Sequence, residues 1–94
     1  MCGILGQISF ESNFVANKEL FRKSLDLLSH RGPDDSDIYE DEDSIFGHRR
    51  LSIIDLKSHA SQPMVSDCGN YVLVFNGEIY NYKELKKALL LKNY

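Results

Sequence analysis

Ser44-Ile45-Phe46-Gly47-His48-Arg49-Arg50-Leu51-Ser52-Ile53-Ile54 carries β-type residues on both sides of one glycine and holds two adjacent arginines. The stretch reads as strand. Side chains alternate between the faces of a strand, so Arg49 and Arg50 point to opposite sides. One guanidinium must therefore face the partly buried side, and a buried guanidinium needs a carboxylate. The partner is either a structural Asp or Glu or the carboxylate of an amino-acid ligand. The pattern alone favours the structural partner and does not say which arginine turns inward.

Upstream, residues 34–43 are acidic, with a short strand expected around Ile38 and Tyr39. They lack the central Gly and terminal Glu of a calcium loop, so a solvated loop is expected. His30-Arg31-Gly32-Pro33-Asp34 should end a helix, with Gly32 at C′ and Pro33 forbidding continuation. Leu20, Phe21, Leu25 and Leu28 recur at helical spacing, which predicts an amphipathic helix over 18–29 with Asn17 as N-cap. Residues 2–10 are apolar with glycines at 3 and 6, and read as a buried strand with close backbone approach.

Downstream, residues 57–63 read as a loop. Tyr71-Val72-Leu73-Val74-Phe75 is the clearest strand, continuously apolar and so expected to be buried on both faces. Asn81 with Glu84 three residues on forms a capping box ahead of Leu85, Ala88 and Leu89, and predicts a helix over 82–91. The order strand, helix, several strands, helix indicates α+β rather than a doubly wound sheet.

Ninety-four residues make one small domain. With 43% hydrophobic and 27% charged residues the composition is that of an ordinary folded protein. A net charge of −3 gives no electrostatic reason to expect nucleic acid or an anionic membrane as partner. The N-terminus has no positively charged n-region and no long apolar stretch, so no secretory signal is read there. The apolar runs fall far short of the roughly 20 residues of a membrane span. Cys2 and Cys68 make no disulfide framework, and a cytoplasmic protein with reduced thiols is the expectation.

Besides the arginine pair, two places could carry chemistry. Aminopeptidases generally remove Met before a small second residue, so Cys2 is expected to become the N-terminal residue. A free α-amine titrates near 7.7–8.0, far below a lysine, and its neutral form can act as a base. A thiol is intrinsically a strong nucleophile. Cys2 could thus supply both nucleophile and base, with Gly3 leaving room for substrate; on position alone it is more simply a small buried hydrophobe. Phe75-Asn76-Gly77-Glu78 sets an amide side chain beside a glycine N–H, two donors able to meet an oxyanion. Taken alone, Asn-Gly is foremost a hairpin turn. His30, His48 and His59 lack metal-ligand spacing and read as capping or structural residues; no metal is expected. No Gly-rich phosphate loop is present.

Together the pieces form a pattern. Met1-Cys2-Gly3-Ile4, His30-Arg31-Gly32-Pro33-Asp34, His48-Arg49-Arg50-Leu51-Ser52-Ile53-Ile54-Asp55-Leu56, Gln62-Pro63-Met64 and Phe75-Asn76-Gly77-Glu78-Ile79-Tyr80-Asn81 resemble the class II, N-terminal-nucleophile glutamine amidotransferases. The wording is closest to the glutamine-dependent asparagine synthetases. The resemblance covers residues 1–94, as part of a type-2 amidotransferase domain, and implies the N-terminal portion of a four-layer αββα sandwich. It implies that Cys2 attacks the side-chain amide of L-glutamine, with its own α-amine as base and Asn76 and Gly77 as the oxyanion hole. It selects Arg50 for the substrate's α-carboxylate, with Leu51, Ser52, Ile53 and Ile54 lining the pocket and Glu78 binding the substrate's amino group. Arg31, Gly32 and Asp34 would shape the loop near Cys2. ATP and Mg²⁺ are expected only in a synthetase domain outside this chain, which would make asparagine from aspartate. Homo-oligomerisation of the full-length protein is left open. The alternatives are an inactive truncated remnant, or the glutaminase part of a related amidotransferase with another acceptor.

Overall fold

The computed structural model describes residues 1–11, 15–51 and 61–94. Along the chain run β1 (Gly3–Ile8), α1 (Lys18–Asp26), β2 (Asp35–Glu40), β3 (Ser44–Arg50), β4 (Met64–Val65), β5 (Val72–Leu73) and α2 (Tyr82–Leu91). The architecture is α+β. A three-stranded antiparallel sheet has the order β1-β3-β2, and β4 and β5 form a separate antiparallel pair.

The central strand β3 is where the sequence places the arginines. Register fixes its neighbours: Gly3↔Arg49, Ile4↔His48 and Leu5↔Gly47 on one side, Asp35↔Arg50, Asp37↔His48 and Ile38↔Gly47 on the other. Alternation then separates two faces. Gly3, Ile45, Gly47 and Arg49 share the face that α1 covers, where Phe21, Leu25 and Ile45 are buried. Gly47 permits that approach, because a Cβ there would lie 2.8 Å from Cδ2 of Leu25 and 2.9 Å from Cε1 of Phe21. Cys2, Ile4, Phe46, His48, Arg50 and Asp35 belong to the opposite face.

α1 starts where its N-cap predicts: Oδ1 of Asn17 accepts from the Leu20 N–H at 3.0 Å. It ends at Asp26, three residues short of the sequence expectation, and turns through residues 27–31. Gly32 is therefore not the helix C′ residue. The backbone N–H groups of Leu28, Ser29 and Arg31 close i−3 bonds to Leu25, Asp26 and Leu28, which finishes the helix earlier in tight turns. β2 is a full six-residue strand where mostly loop was expected. Its acidic end is ordered at Asp41, whose Oδ1 accepts from Asp43 N, Ser44 N and Ser44 Oγ.

The second half departs further from expectation. Of 71–75 only Val72–Leu73 pairs as strand, and the segment is not buried on both faces. Tyr71 is 74% exposed, Leu73 54% and Phe75 40%. Continuous apolar sequence marks surface that can be covered, but covering needs a second layer, and among the described residues β5 pairs with β4 alone. α2 spans the predicted residues, yet Asn81 makes no side-chain cap bond and no α2 residue is buried. With φ −97° and ψ 28° Asn81 is not in the extended conformation that aims a cap side chain into the first turn. No described helix is long and apolar enough to cross a membrane.

Candidate functional site

The sheet face opposite α1 gathers the chemistry at its Cys2 end. β1 begins at Gly3 opposite Arg49, and continuing that register by one residue brings Cys2 beside Arg50. The Leu51 N–H points at Cys2 Sγ from 3.4 Å. Sγ also lies 3.9 Å from the Leu51 carbonyl. An N–H aimed at sulfur complements negative charge there, so the end of β3 offers Cys2 Sγ a partner as well as a wall. Cys2 is half-buried, and both cysteines are free thiols.

The turn after α1 holds this corner together. Arg31 Nε donates to the Cys2 carbonyl at 3.1 Å. Gly32 is buried against β3: a Cβ there would fall 2.3 Å from C and O of Arg49 and 2.6 Å from N of Arg50. The Asp34 N–H donates to the Arg50 carbonyl at 3.0 Å and extends the β2–β3 ladder by one step. So 31, 32 and 34 all touch Cys2 or the arginine pair through backbone groups or close packing.

The two arginines divide the work as alternation requires. Arg49 faces α1, where its Nη1 pairs with Asp26 Oδ1 at 3.2 Å and its Nε donates to the Gly32 carbonyl at 2.9 Å. This is the structural carboxylate partner, and it belongs to Arg49. Arg50 is on the other face, only 8% exposed, on the same side as Cys2. Both guanidinium groups are thus largely covered, Arg49 under α1 and Arg50 on the face that also carries Cys2.

Asn76, Gly77 and Glu78 follow β5 and are exposed. A Cβ on Gly77 would come within 2.8 Å of the Phe75 ring, so the turn folds back over its own aromatic residue. The turn connects to the three-stranded sheet through His48, whose Nε2 is 3.2 Å from the Phe75 carbonyl. The Phe75 N–H in turn donates to Gln62 Oε1. Ser61 Oγ donates to Asp35 Oδ2 on the same face, where Asp35 lies opposite Arg50. Ser52, Ile53, Ile54 and His59 lie outside the described residues, as does most of the 57–63 loop. Among the described residues no group of three His, Cys, Asp or Glu side chains could hold a metal ion.

His48 is the residue that sequence reasoning undervalued. It is 1% exposed, and its Nδ1 is buried without a hydrogen-bond partner among the described residues. Burial pushes its pKa below the ordinary 6.5; the nearby Arg50 charge adds to this, while the Phe75 carbonyl and Asp35 oppose it. Asp37 is its cross-strand partner on β2, and Ile4 its uncharged partner on β1. The sign follows directly. An unfolded chain takes up a proton near 6.5 while the folded one resists, so the stability that neutral His48 allows is present above 6.5 and is lost as pH falls through the lowered folded value. Relative to His48→Phe, the wild-type protein is expected to lose stability on acidification from pH 7 to pH 5, as read from urea midpoints at each pH. A parallel course of the two proteins would contradict the assignment of that slope to His48.

A glutamine amidotransferase domain model matches residues 1–94. Asparagine synthetase [glutamine-hydrolyzing] 3 of Bacillus subtilis (strain 168) is 38% identical over 91 residues, 95% of this chain and 15% of that protein. Asparagine synthetase B [glutamine-hydrolyzing] of Escherichia coli (strain K12) is 42% identical over 89 residues, 92% of this chain and 15% of its own. Asparagine synthetase [glutamine-hydrolyzing] 1 of Arabidopsis thaliana is 38% identical over 89 residues, covering 95% and 15%. The chain thus spans about 15% of the length of the curated relatives it matches. A cysteine at position 2 that meets the Leu51 N–H, a match along the full chain and these relatives agree: the chain belongs to the glutamine amidotransferase domain family, in the class II form.

Proposed function

We propose that Cys2, exposed by removal of Met1, hydrolyses the side-chain amide of L-glutamine and releases ammonia. The observation that carries this reading is the Leu51 N–H directed at Cys2 Sγ, at the end of the strand that also carries Arg50. Met1 is 72% exposed and open to an aminopeptidase.

Arg50 holds the α-carboxylate of glutamine and Glu78 its amino group, with Leu51, Ser52, Ile53 and Ile54 along the pocket. The freed α-amine takes the thiol proton as Sγ attacks the amide carbon. The carbonyl oxygen becomes an oxyanion, and Asn76 and Gly77 supply the two donors that meet it. The C–N bond then breaks, the amine returns its proton to the leaving nitrogen, and ammonia departs. Water cleaves the γ-glutamyl thioester to give glutamate and regenerates the thiol. The described sheet and α1 are read as one sheet and one helical layer of a four-layer αββα sandwich, so the domain over residues 1–94 is partial.

In the whole protein the ammonia would serve asparagine synthesis, as the names of the relatives suggest; ATP dependence, aspartate as the acceptor and a cytoplasmic location are our own reading. ATP and Mg²⁺ would belong to that synthesis step and not to glutamine hydrolysis. We assign both to other parts of the protein.

The test is acid quenching of the intact protein during turnover, followed by peptide mass analysis. A γ-glutamyl adduct on an N-terminal Cys2 peptide is expected. An adduct on Cys68, or turnover by protein that keeps Met1, would sink the reading.

A further inference from the structure

We propose that His48 is a positioning residue for the oxyanion-binding turn, holding Asn76 and Gly77 in place through the Phe75 carbonyl. The inference rests on the glutaminase reading above and goes beyond it by assigning a role to a residue that touches no substrate.

Its basis is the peptide plane. A peptide unit is rigid and planar, so fixing a carbonyl direction also fixes the N–H and Cα of the following residue. The carbonyl held by His48 belongs to the peptide that joins Phe75 to Asn76. The preceding peptide is held as well, because the Phe75 N–H donates to Gln62 Oε1. Phe75 is thus gripped on both sides immediately before the two donors, whose own side chains and backbone are exposed. An exposed turn cannot aim donors by its own packing; it needs an anchor in a rigid element. β3 is that element, since it is the central strand of the sheet and the one whose end meets Cys2 Sγ. One strand would therefore set both nucleophile and donors in a common frame.

The chemistry of the ring agrees. A carbonyl accepts, so Nε2 must carry the proton and Nδ1 presents a bare lone pair. That lone pair is buried and unmatched among the described residues. A buried acceptor without a partner is unfavourable, and an apolar ring of similar size would avoid it. Stability alone does not explain a histidine at this position, whereas a donor aimed at Phe75 does. Among the described residues Arg50, Asp35 and Asp37 are the charged groups on the same face, and burial, helped by Arg50, disfavours the charged ring.

The test uses the intact protein with Cys68→Ser, so that Cys2 is the thiol of this region being read. His48→Phe is expected to lower kcat for glutamine about 100-fold with KM changed by less than about threefold, the effect of misplaced oxyanion donors. Alkylation of Cys2 by iodoacetamide, a displacement that forms no oxyanion, is expected to keep its rate. His48→Gln, which restores an N–H near the Nε2 position, is expected to recover kcat to within about tenfold of the parent. Wild-type kcat in His48→Phe, a change in KM alone, or equal losses in turnover and alkylation would overturn the proposal. If His48→Phe does not fold, ¹⁵N NMR of the wild-type ring decides: a neutral Nε2–H tautomer supports the role, and an Nδ1–H or charged ring at pH 7 overturns it. Failure of the glutaminase reading itself would be seen separately, as absence of Cys2-dependent turnover in the parent protein.

Discussion

Cys2→Ala is expected to lower ammonia release from glutamine by at least about 10³-fold, the scale seen when a covalent nucleophile is removed. Cys68→Ala is expected to leave the rate within about twofold. The comparison is sharp because alanine is also a small second residue. Met1 should still be removed, the α-amine would be retained, and only the sulfur is lost. The two thiols also differ in a useful way. Cys68 is exposed, and the Ser66 hydroxyl beside it draws its pKa below the usual value. By acidity alone it ionises more readily than an unperturbed cysteine. It lacks surroundings, though: its neighbours are Ser66 and Asn70 in the turn between β4 and β5, whereas Cys2 has the Leu51 N–H and the strand carrying Arg50. Ammonia release that survives Cys2→Ala and disappears in Cys68→Ala would reverse the assignment.

Gly32→Ala is the second large effect expected. The added methyl would sit 2.3 Å from the carbonyl carbon and oxygen of Arg49. Backbone atoms in the middle strand of a sheet cannot step aside as a side-chain tip can. The turn must therefore lift, and three bonds go with it: Arg49 Nε to the Gly32 carbonyl, Arg31 Nε to the Cys2 carbonyl, and Asp34 N–H to the Arg50 carbonyl. A loss of about 3 kcal/mol in stability is expected, the upper part of the usual overpacking range. Urea denaturation measures it. Turnover is expected to fall as well, because the displaced turn is the one that tethers Cys2. A variant as stable and as active as the parent would show that the turn does not bear on β3.

How much of this was legible from residues varies with the range of the interaction. The start of α1 was readable because Asn17 and Leu20 are three residues apart and meet within one turn. The opposite facing of Arg49 and Arg50 was readable because strand alternation is local. Which of them meets a carboxylate was not, since Asp26 is 23 residues away and arrives only when α1 packs on Gly47. Gly32 was recognised as special for the wrong cause. Its need to be glycine comes from Arg49, 17 residues on, and not from the helix end. The two-sided burial expected at 71–75 failed on the same ground, with only Val72–Leu73 pairing as strand: apolar character is written in the sequence, but the layer that would cover it is not. Asn81 and Glu84 have capping-box spacing, yet the backbone of Asn81 does not take the cap conformation. His48 gave no local signal, because its partner is the Phe75 backbone, which any residue at that position would present.

The adjacency of the two arginines has a consequence for how this sequence can change. Arg49 and Arg50 share one peptide unit and serve opposite sides of β3. A strand whose register slips by one residue exchanges its faces. Inserting or deleting a single residue between Gly47 and Arg49 would turn one guanidinium away from Asp26 and the other away from the Cys2 side in the same event. Substitutions there can be graded, but length changes cannot. Descendants of this sequence should vary in loop length on either side of β3 while keeping the count within it fixed.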